Sequence, residues 1–193
     1  MRLFWSYILL LKIKLTKINH DFIILDTNGE YKKYENSQYY YSNVKEELMK
    51  IKTLADSRLD LFNKNNCQDI FEYNEKYKEN LDIKFIYIIN FESLKKQEEV
   101  SNILLYLLQI ASNCGYYFIV HYSDNEQLSS IEDSLFSLKI LGKNSLELGE
   151  YYIGINPVNY LYDDEAFFLY RDELFRYSLA KGTDEEIGKI INY

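Results

Sequence analysis

Three short apolar runs, separated by helical patterns, constrain the fold more than any other feature of the sequence. The runs are Phe22–Leu25, Ile83–Ile89 and Tyr116–Val120, and polar or turn-forming residues follow each of them. Between the first two runs, apolar residues recur at spacings of three and four, which is the period of one helix face. These residues are Val44, Leu48, Ile51, Ala55, Leu59 and Phe62. Apolar strands that alternate with helices predict an α/β fold, with a mainly parallel sheet covered by helices on both faces.

Local signals add further elements. Asn43, with Glu46 three residues later, predicts the N-cap of the first long helix. A second helix or a turn is predicted at about 67–77. Further helices are predicted at Val100–Ala111 as a buried helix, at about 126–134, and at 185–192 behind a capping box that begins at Thr183. Strand-like segments lie near Phe136–Leu141, Leu146–Ile155 and Phe167–Tyr170, so the C-terminal part is predicted to be β-rich.

The N-terminal segment Leu3–Leu11 is strongly apolar but too short to cross a membrane. A spanning helix needs about 20 apolar residues, and Lys12 and Lys14 interrupt this one. The pattern predicts a buried helix that continues to about Leu15, without a signal peptide or a transmembrane segment. Since neither a linker nor an internal repeat is visible, we expect one cytoplasmic domain over residues 1–193.

Charge and glycine content limit the ligands. The chain has 30 acidic and 22 basic residues and a formal net charge of −8. This charge disfavours binding to nucleic acid and to anionic membranes. A P-loop holds phosphate with Gly-x-x-x-x-Gly-Lys-Ser/Thr. The two Gly-Lys pairs, at Gly142 and Gly188, match neither the first glycine nor the final hydroxyl residue of that motif.

Metal and thiol chemistry have little support in the sequence. His20 and His121 lie far apart and lack the cysteine or His-Glu-x-x-His context of a zinc site. Cys114 is expected to have no cationic neighbour that lowers the pKa of its thiol, which argues against a nucleophile, and Cys67 and Cys114 are expected to be free thiols. We therefore expect no metal.

A ligand site, if present, is expected at the carboxyl ends of the parallel strands. The residues at those ends are Asp26, Asn90 with Phe91 and Glu92, and Tyr122 with Ser123. Two interpretations remain open: these residues belong to a site, or Asn90 is a polar strand end and Asp26 a turn residue.

The order of several stretches resembles the motor domain of the FtsK/SpoIIIE DNA translocases, a branch of the P-loop ATPases, over nearly the whole chain. Phe22–Tyr34 resembles the strand that ends Ile-Asp-Pro-Lys, and Phe85–Asn90 resembles the Walker B strand. Gly115–Ser123 resembles the strand that ends Ala-Thr-Gln. The remaining matches are Leu54–Phe62 with Asp69–Asn74, Leu146–Tyr152, and Leu179–Ile187. The resemblance implies a RecA-like core.

The chain departs from this family at the residues that perform catalysis. In the family alignment the Walker B pair Asp-Glu falls on Asn90 and Phe91, and Glu92 is a carboxylate displaced by one residue. The arginine finger falls on Ser112 and the sensor glutamine on Ser123. The helix Leu3–Leu15 aligns with the later part of the helix that follows the P-loop, so the core is expected to lack the P-loop strand.

The resemblance therefore implies a degenerate motor domain that does not hydrolyse ATP. Such a domain would act as a partner or regulatory subunit of a DNA-translocation, conjugation or secretion motor. It would need neither ATP nor Mg²⁺, although the family uses both, and its partner would be itself or a related motor subunit. We expect only weak DNA binding by the domain alone, and membrane association only through a partner. Two alternatives remain: a fragment of an active translocase whose P-loop lies upstream of Met1, and an unrelated α/β interaction protein.

Overall fold

The computed structural model of the chain describes residues 20–29, 32, 40–122, 128–143 and 146–178. These residues fall into two compact units, the first ending at residue 122 and the second beginning at residue 128. The helices predicted at Leu3–Leu15 and at 185–192 lie outside the described residues.

The first unit is built on a parallel four-stranded sheet. Its strands are β1 (His20–Asp26), β2 (Tyr40–Tyr41), β3 (Ile83–Ile89) and β4 (Tyr116–Val120), in the order β2-β1-β3-β4. β1 and β3 are buried along most of their length, as apolar strands of a parallel sheet should be. The prediction of a mainly parallel α/β fold is therefore confirmed.

The described residues of this unit also form four helices. They are α1 (Val44–Lys64), α2 (Ile70–Tyr77), α3 (Phe91–Lys95) and α4 (Glu98–Ile110). The N-cap prediction for α1 is confirmed, because the Asn43 side chain accepts a hydrogen bond from the Glu46 backbone N–H at 3.4 Å. Helix α1 packs beside α4. Only one side of α4 is fully buried, at Val100, Leu104 and Leu107.

Arg58, whose side chain is 13% exposed, joins α1 to the amino ends of β3 and β4. One guanidinium nitrogen of Arg58, Nη1, donates to the carbonyl oxygens of Asp82, at 2.9 Å, and of Cys114, at 2.7 Å. The other nitrogen, Nη2, forms an ion pair with the Asp82 carboxylate. The guanidinium also lies 4.8 Å from the ring centroid of Tyr116. These contacts fix where both strands begin relative to α1.

Two pKa values record the environment of Arg58. Burial opposes ionisation of Asp82, but the charges of Arg58 and Lys84 outweigh it and lower the pKa of the Asp82 carboxyl. Burial raises the pKa of the Cys114 thiol to about 11, although Arg58 acts in the opposite direction. The expectation that Cys114 has no cationic neighbour was therefore wrong, since the guanidinium of Arg58 lies nearby. The conclusion of an unreactive thiol agrees with the raised pKa.

The second unit is a three-stranded antiparallel sheet with a helix on one face. Its strands are β5 (Leu138–Gly142), β6 (Glu165–Tyr170) and β7 (Glu173–Ser178), in the order β5-β6-β7. Its helices are α5 (Ser130–Ser134), α6 (Leu146–Ile153) and the 3₁₀ turn Pro157–Asn159. Leu141, Leu161 and Phe167 form a buried cluster on one side of this sheet.

The structure corrects the sequence interpretation of this unit in three places. The segment predicted as a strand at Leu146–Ile155 is the helix α6, because Leu148 and Tyr152, four residues apart, pack together against the buried cluster. Of the helix predicted at about 126–134, the described residues contain only the five-residue helix α5. Strand β7 was not predicted. It follows β6 through Arg171 and Asp172, which both have positive φ, whereas such tight hairpin turns usually contain Asn-Gly or Asp-Gly.

Among the described residues, no helix is long and apolar enough to span a membrane.

Gly149 of α6 supplies a test of this packing, because an added Cβ would overlap the ring of Pro157. We expect Gly149→Ala to lower the free energy of unfolding by about 1–3 kcal/mol, the usual cost of overpacking. Chemical denaturation of the full chain measures this effect. Glu150→Ala, at the exposed neighbouring position of the same helix, is the control and should change stability little. A Gly149→Ala protein as stable as the wild type would contradict the close packing.

The lowered pKa of Asp82 predicts an acid-dependent contribution to stability. The unfolded chain takes up the Asp82 proton near pH 4, the ordinary value, whereas the folded protein takes it up only at lower pH. The stabilisation is therefore complete above about pH 4 and is lost as pH falls through the folded pKa. We expect Asp82→Asn to reduce the free energy of unfolding at pH 7 and to reduce it less as pH falls below 4. Asp60→Asn, at an exposed site on α1, is the control. A stability difference that does not depend on pH would contradict the ion pair.

Candidate functional site

The carboxyl ends of β1, β3 and β4 lie at one edge of the parallel sheet. Asp26, the last residue of β1, is the register partner of Ile89, so it lies beside the end of β3. The backbone N–H of His121, just after β4, donates to the carbonyl oxygen of Ile88 at 2.8 Å. The fold thus brings Asp26, Asn90 and Tyr122 to the same edge, where the sequence predicts a site.

Asp26 uses its carboxylate to hold the chain that follows it. Oδ1 accepts hydrogen bonds from the backbone N–H groups of Asn28, at 3.2 Å, and of Gly29, at 2.9 Å. Oδ2 accepts a hydrogen bond from the hydroxyl of Tyr40 at 3.1 Å. The side chain is only 1% exposed. These contacts favour the interpretation of Asp26 as a turn residue that also anchors β2.

Asn90 makes the chain turn sharply after β3. Its φ of 58° and ψ of 57° lie in the left-handed region, and its side chain makes no capping bond to α3. Its carbonyl oxygen accepts a hydrogen bond from the Ser93 N–H at 3.0 Å. The next residue, Phe91, donates its N–H to the carbonyl oxygen of His121 at 3.2 Å. The turn is therefore tied to the chain that leaves β4.

Phe91 occupies the core rather than a ligand-binding surface. Its side chain is 1% exposed, and its ring meets the Tyr122 ring edge-on at a centroid distance of 6.3 Å. The ammonium group of Lys95 lies 6.0 Å from the centroids of both rings. An apolar ring with a cation beside it therefore occupies the position that the family alignment assigns to the catalytic glutamate.

Glu92 and Thr27 add polar atoms near this edge. Glu92 lies in the first turn of α3 and is half-buried, and one of its carboxylate oxygens is buried. The hydroxyl of Thr27, directly after Asp26, is also buried, and no hydrogen-bond partner for it is found among the described residues. Within the described ranges, no group of three or more His, Cys, Asp or Glu side chains could hold a metal ion.

The other residues predicted from the family lie elsewhere or are not described. Ser112 is exposed in the turn that leads into β4, at the amino edge of the sheet, so it does not meet Asn90 or Phe91. Its carbonyl oxygen accepts a hydrogen bond from the Gly115 N–H at 3.1 Å. Ser123 lies outside the described residues. His121 is exposed at the end of β4.

The sequence analysis missed two participants at this edge. Tyr40 belongs to a strand of only two residues, too short to give a periodic signal. Lys95 lies four residues after Phe91 on α3, a spacing that places two side chains on the same helix face. That spacing was the available signal for the Lys95 contact.

Comparison with solved structures finds the same fold in a conjugation coupling protein. The structure of the pCW3 conjugation coupling protein TcpA, in its monomer form with ATPγS, matches with a TM-score of 0.75 and 15% identity. The match covers 97% of this chain and 60% of TcpA. The chain thus spans less than two thirds of this neighbour. No model of a known protein family matches the sequence, and the search of curated proteins gives no match.

Two further structures, of the type VII secretion ATPase EccC and of EssC, give similar results. The cytoplasmic domain of the Thermomonospora curvata ATPase EccC matches with a TM-score of 0.63 and 15% identity, over 90% of this chain and 23% of EccC. EssC ATPases 2 and 3 from Geobacillus thermodenitrificans match with a TM-score of 0.66 and 18% identity, over 90% of this chain and 36% of EssC. The predicted fold is therefore confirmed: this chain has the fold of the P-loop ATPase translocase motors.

Proposed function

We propose that this chain is a non-hydrolysing domain of the FtsK/SpoIIIE type. It would act as a partner or regulatory subunit of a DNA-translocation, conjugation or secretion motor. One observation carries the proposal: on a motor ATPase fold, the position aligned with the catalytic glutamate is a phenylalanine that is 1% exposed in the core.

The chemistry of phosphoryl transfer supports this proposal. Motors of this class position Mg²⁺ with one carboxylate and orient the attacking water with a polar side chain. At the aligned positions, Asn90 is a neutral amide in the left-handed turn and the Phe91 ring can do neither task. Asp26, the nearby strand-end carboxylate, already accepts hydrogen bonds from two backbone N–H groups and from Tyr40. None of these side chains is arranged to replace the missing pair.

The proposed partner is a second copy of this chain or a related motor subunit. TcpA is a conjugation coupling protein, EccC is a type VII secretion ATPase, and the matched EssC structure comprises its ATPases 2 and 3. These similarities motivate a role within or beside such assemblies. The matched EccC region is a cytoplasmic domain, and we propose the same compartment here, with membrane association made through a partner. The net charge of −8 supports only weak binding of DNA by this chain alone.

A fragment of an active translocase is the second candidate. It draws on Glu92, whose carboxylate has one buried oxygen at the correct edge of the sheet, and on the limited share of TcpA that the chain covers. Additional residues upstream could supply a P-loop, but they would not change Asn90 or Phe91. The third candidate, an unrelated α/β interaction protein, is disfavoured by the shared motor fold.

Steady-state phosphate release from ATP and Mg²⁺ tests the lack of hydrolysis. We expect the full chain to release phosphate at the background rate, because positioning and charge stabilisation of the transferred phosphoryl group are both missing. Turnover of about one per second or faster, in the range of ordinary enzymes, would overturn the proposal. If Glu92→Gln abolished that turnover while the exposed control Glu99→Gln did not, Glu92 would be the working carboxylate and the second candidate would replace the first.

Restoring the family residues tests whether the catalytic position has become part of the core. We expect Phe91→Glu to lower the free energy of unfolding by about 3 kcal/mol or more, because it removes a buried ring and buries a carboxylate. The double variant Asn90→Asp, Phe91→Glu should also gain no ATP turnover. The matched control is Phe71→Glu, at a half-exposed position on α2, which should cost far less. A stable double variant that hydrolyses ATP would mean that the site needs only its two carboxylates.

A further inference from the structure

The two edge strands of the parallel sheet, β2 and β4, differ in how they are protected from pairing with another chain. At one edge, β2 has only two residues, and a very short edge strand offers little backbone for unwanted pairing. At the other edge, β4 has five residues, Tyr-Tyr-Phe-Ile-Val, with no charge, proline or glycine among them. Among the described residues, β3 is the only strand that pairs with β4. Within the part of the chain that the structure describes, β4 therefore lacks the short length, the charged residues and the proline that commonly protect an edge strand.

The backbone hydrogen bonds show which groups of β4 face outward. The carbonyl oxygen of Gly115 accepts from the Lys84 N–H, and the His121 N–H donates to Ile88 on the same strand, β3. Alternate residues of a strand direct their N–H and C=O groups to the same neighbour, so residues 117 and 119 also face β3. Phe118 and Val120 consequently direct their N–H and C=O groups away from β3.

The backbone N–H and C=O groups of Tyr116 do not bond to β3 either. Its N–H donates to the carbonyl oxygen of Ala111 at 2.9 Å, which leaves its own carbonyl group for the outer edge. The outer edge of β4 therefore offers the carbonyl oxygens of residues 116, 118 and 120 and the N–H groups of residues 118 and 120.

The side chains of β4 have the composition of a central strand. Residues 117 to 120 are apolar or aromatic and only half-buried, and they alternate between the two faces of the sheet. Strands of parallel sheets are normally buried on both faces by their neighbours and by helices. Both the backbone and the side chains of β4 thus suit a further strand beside it.

We propose that a second copy of this chain supplies that strand, with the two β4 strands antiparallel around a two-fold axis at Phe118. The proposal rests on the partner-subunit function proposed above and identifies the contact surface. Two-fold dimers with the same surface on both subunits are the commonest closed assemblies. The pairing would join two four-stranded sheets into one continuous sheet.

The register of this pairing follows from the outward-facing groups. Phe118 lies opposite Phe118 of the second copy, and the two residues exchange N–H and C=O bonds. Val120 donates its N–H to the carbonyl oxygen of Tyr116 in the second copy, and the symmetric bond forms at the other end. Every outward N–H of β4 then has an acceptor, and the Tyr116 N–H keeps its bond to Ala111.

The side chains are self-complementary in the same register. Tyr116 lies opposite Val120 of the second copy, and Tyr117 lies opposite Ile119. Each aromatic residue at one end of β4 therefore meets a β-branched residue, a favourable cross-strand combination. No charged residue of β4 faces another, because the strand has none. This match between the two halves of one strand is why we choose a second copy over an unrelated peptide.

Charge substitution at the two-fold position provides the sharpest test, with sedimentation velocity of the full chain over a concentration series. We expect the wild-type chain to form a dimer. Phe118→Lys alone and Phe118→Glu alone should be monomeric, because each places two like charges opposite each other. An equimolar mixture of the two variants should again form a dimer, since opposite charges then meet at the axis. Far-ultraviolet circular dichroism verifies that each variant is folded.

A backbone variant tests the pairing independently of side-chain burial. Val120→Pro removes an N–H group that does not bond to β3, and proline is tolerated where the N–H of an edge strand faces outward. We expect it to weaken dimerisation by about tenfold or more through two lost hydrogen bonds. Val120→Thr, which keeps the N–H and the branched shape, is the matched control and should remain a dimer.

The outcomes separate this proposal from the proposed function. A wild-type chain that is monomeric at all concentrations overturns the β4 pairing, and so does a dimer that survives both Phe118 substitutions and Val120→Pro. ATP turnover by a chain that dimerises through β4 would contradict the lack of hydrolysis but leave the interface intact. A chain that stays monomeric and releases phosphate only at the background rate would contradict the β4 interface but leave the proposed lack of hydrolysis intact.

Discussion

The arrangement of the parallel sheet depends most on the ion pair and hydrogen bonds made by the Arg58 guanidinium. A buried cation is destabilising unless it is paired and its N–H groups are bonded. Here the Asp82 carboxylate pairs with it, and the carbonyl oxygens of Asp82 and Cys114 accept its hydrogen bonds. Since Asp82 precedes β3 and Cys114 precedes β4, one side chain of α1 holds both strands at their amino ends. The relative positions of their carboxyl ends follow from this attachment, because the strands are paired in register along their length.

The packing around Arg58 also explains the glycine before β4. Gly115 has a φ of 83°, and an added Cβ would lie 2.6 Å from Ile70 Cδ1 and 3.3 Å from Arg58 Nη1. A side chain there would strain the backbone and displace the start of α2 or the guanidinium. Ile70 is itself held by a backbone bond from its N–H to the carbonyl oxygen of Asn113 at 2.9 Å. Polar bonds thus define the amino edge of the sheet, whereas apolar packing of Phe91 dominates the carboxyl edge at the end of β3.

The elements that the sequence predicts well are those whose apolar residues form an unbroken run or a regular repeat. β1, β3 and β4 stand out as unbroken apolar runs, and α1 as apolar residues at spacings of three and four that follow the local signal of Asn43. α6 was predicted as a strand because its apolar residues cluster too closely to define one face, and tertiary contacts of Leu148 and Tyr152 determine its conformation. β7 was missed because Arg171 and Asp172 adopt a turn that their residue types do not announce. Arg58 lies on the same face of α1 as the buried Ala55 and Phe62, a spacing that could have identified a cation directed toward the core.

The candidate site was predictable in position but not in chemistry. The topology of a parallel sheet brings Asp26 and Asn90 to one edge, whatever their side chains do there. What Asp26 does depends on Tyr40 and on the turn at Gly29, which only the folded chain brings to it. The backbone conformation of Asn90 determines where the next side chain points. Asparagine tolerates the left-handed conformation better than most residues, so the sharp turn after β3 costs little. That turn directs residue 91 into the core, where a phenylalanine ring is stable and an ionised glutamate would need compensation. The backbone after β3 therefore turns sharply, and the side chain of residue 91 contributes to core packing.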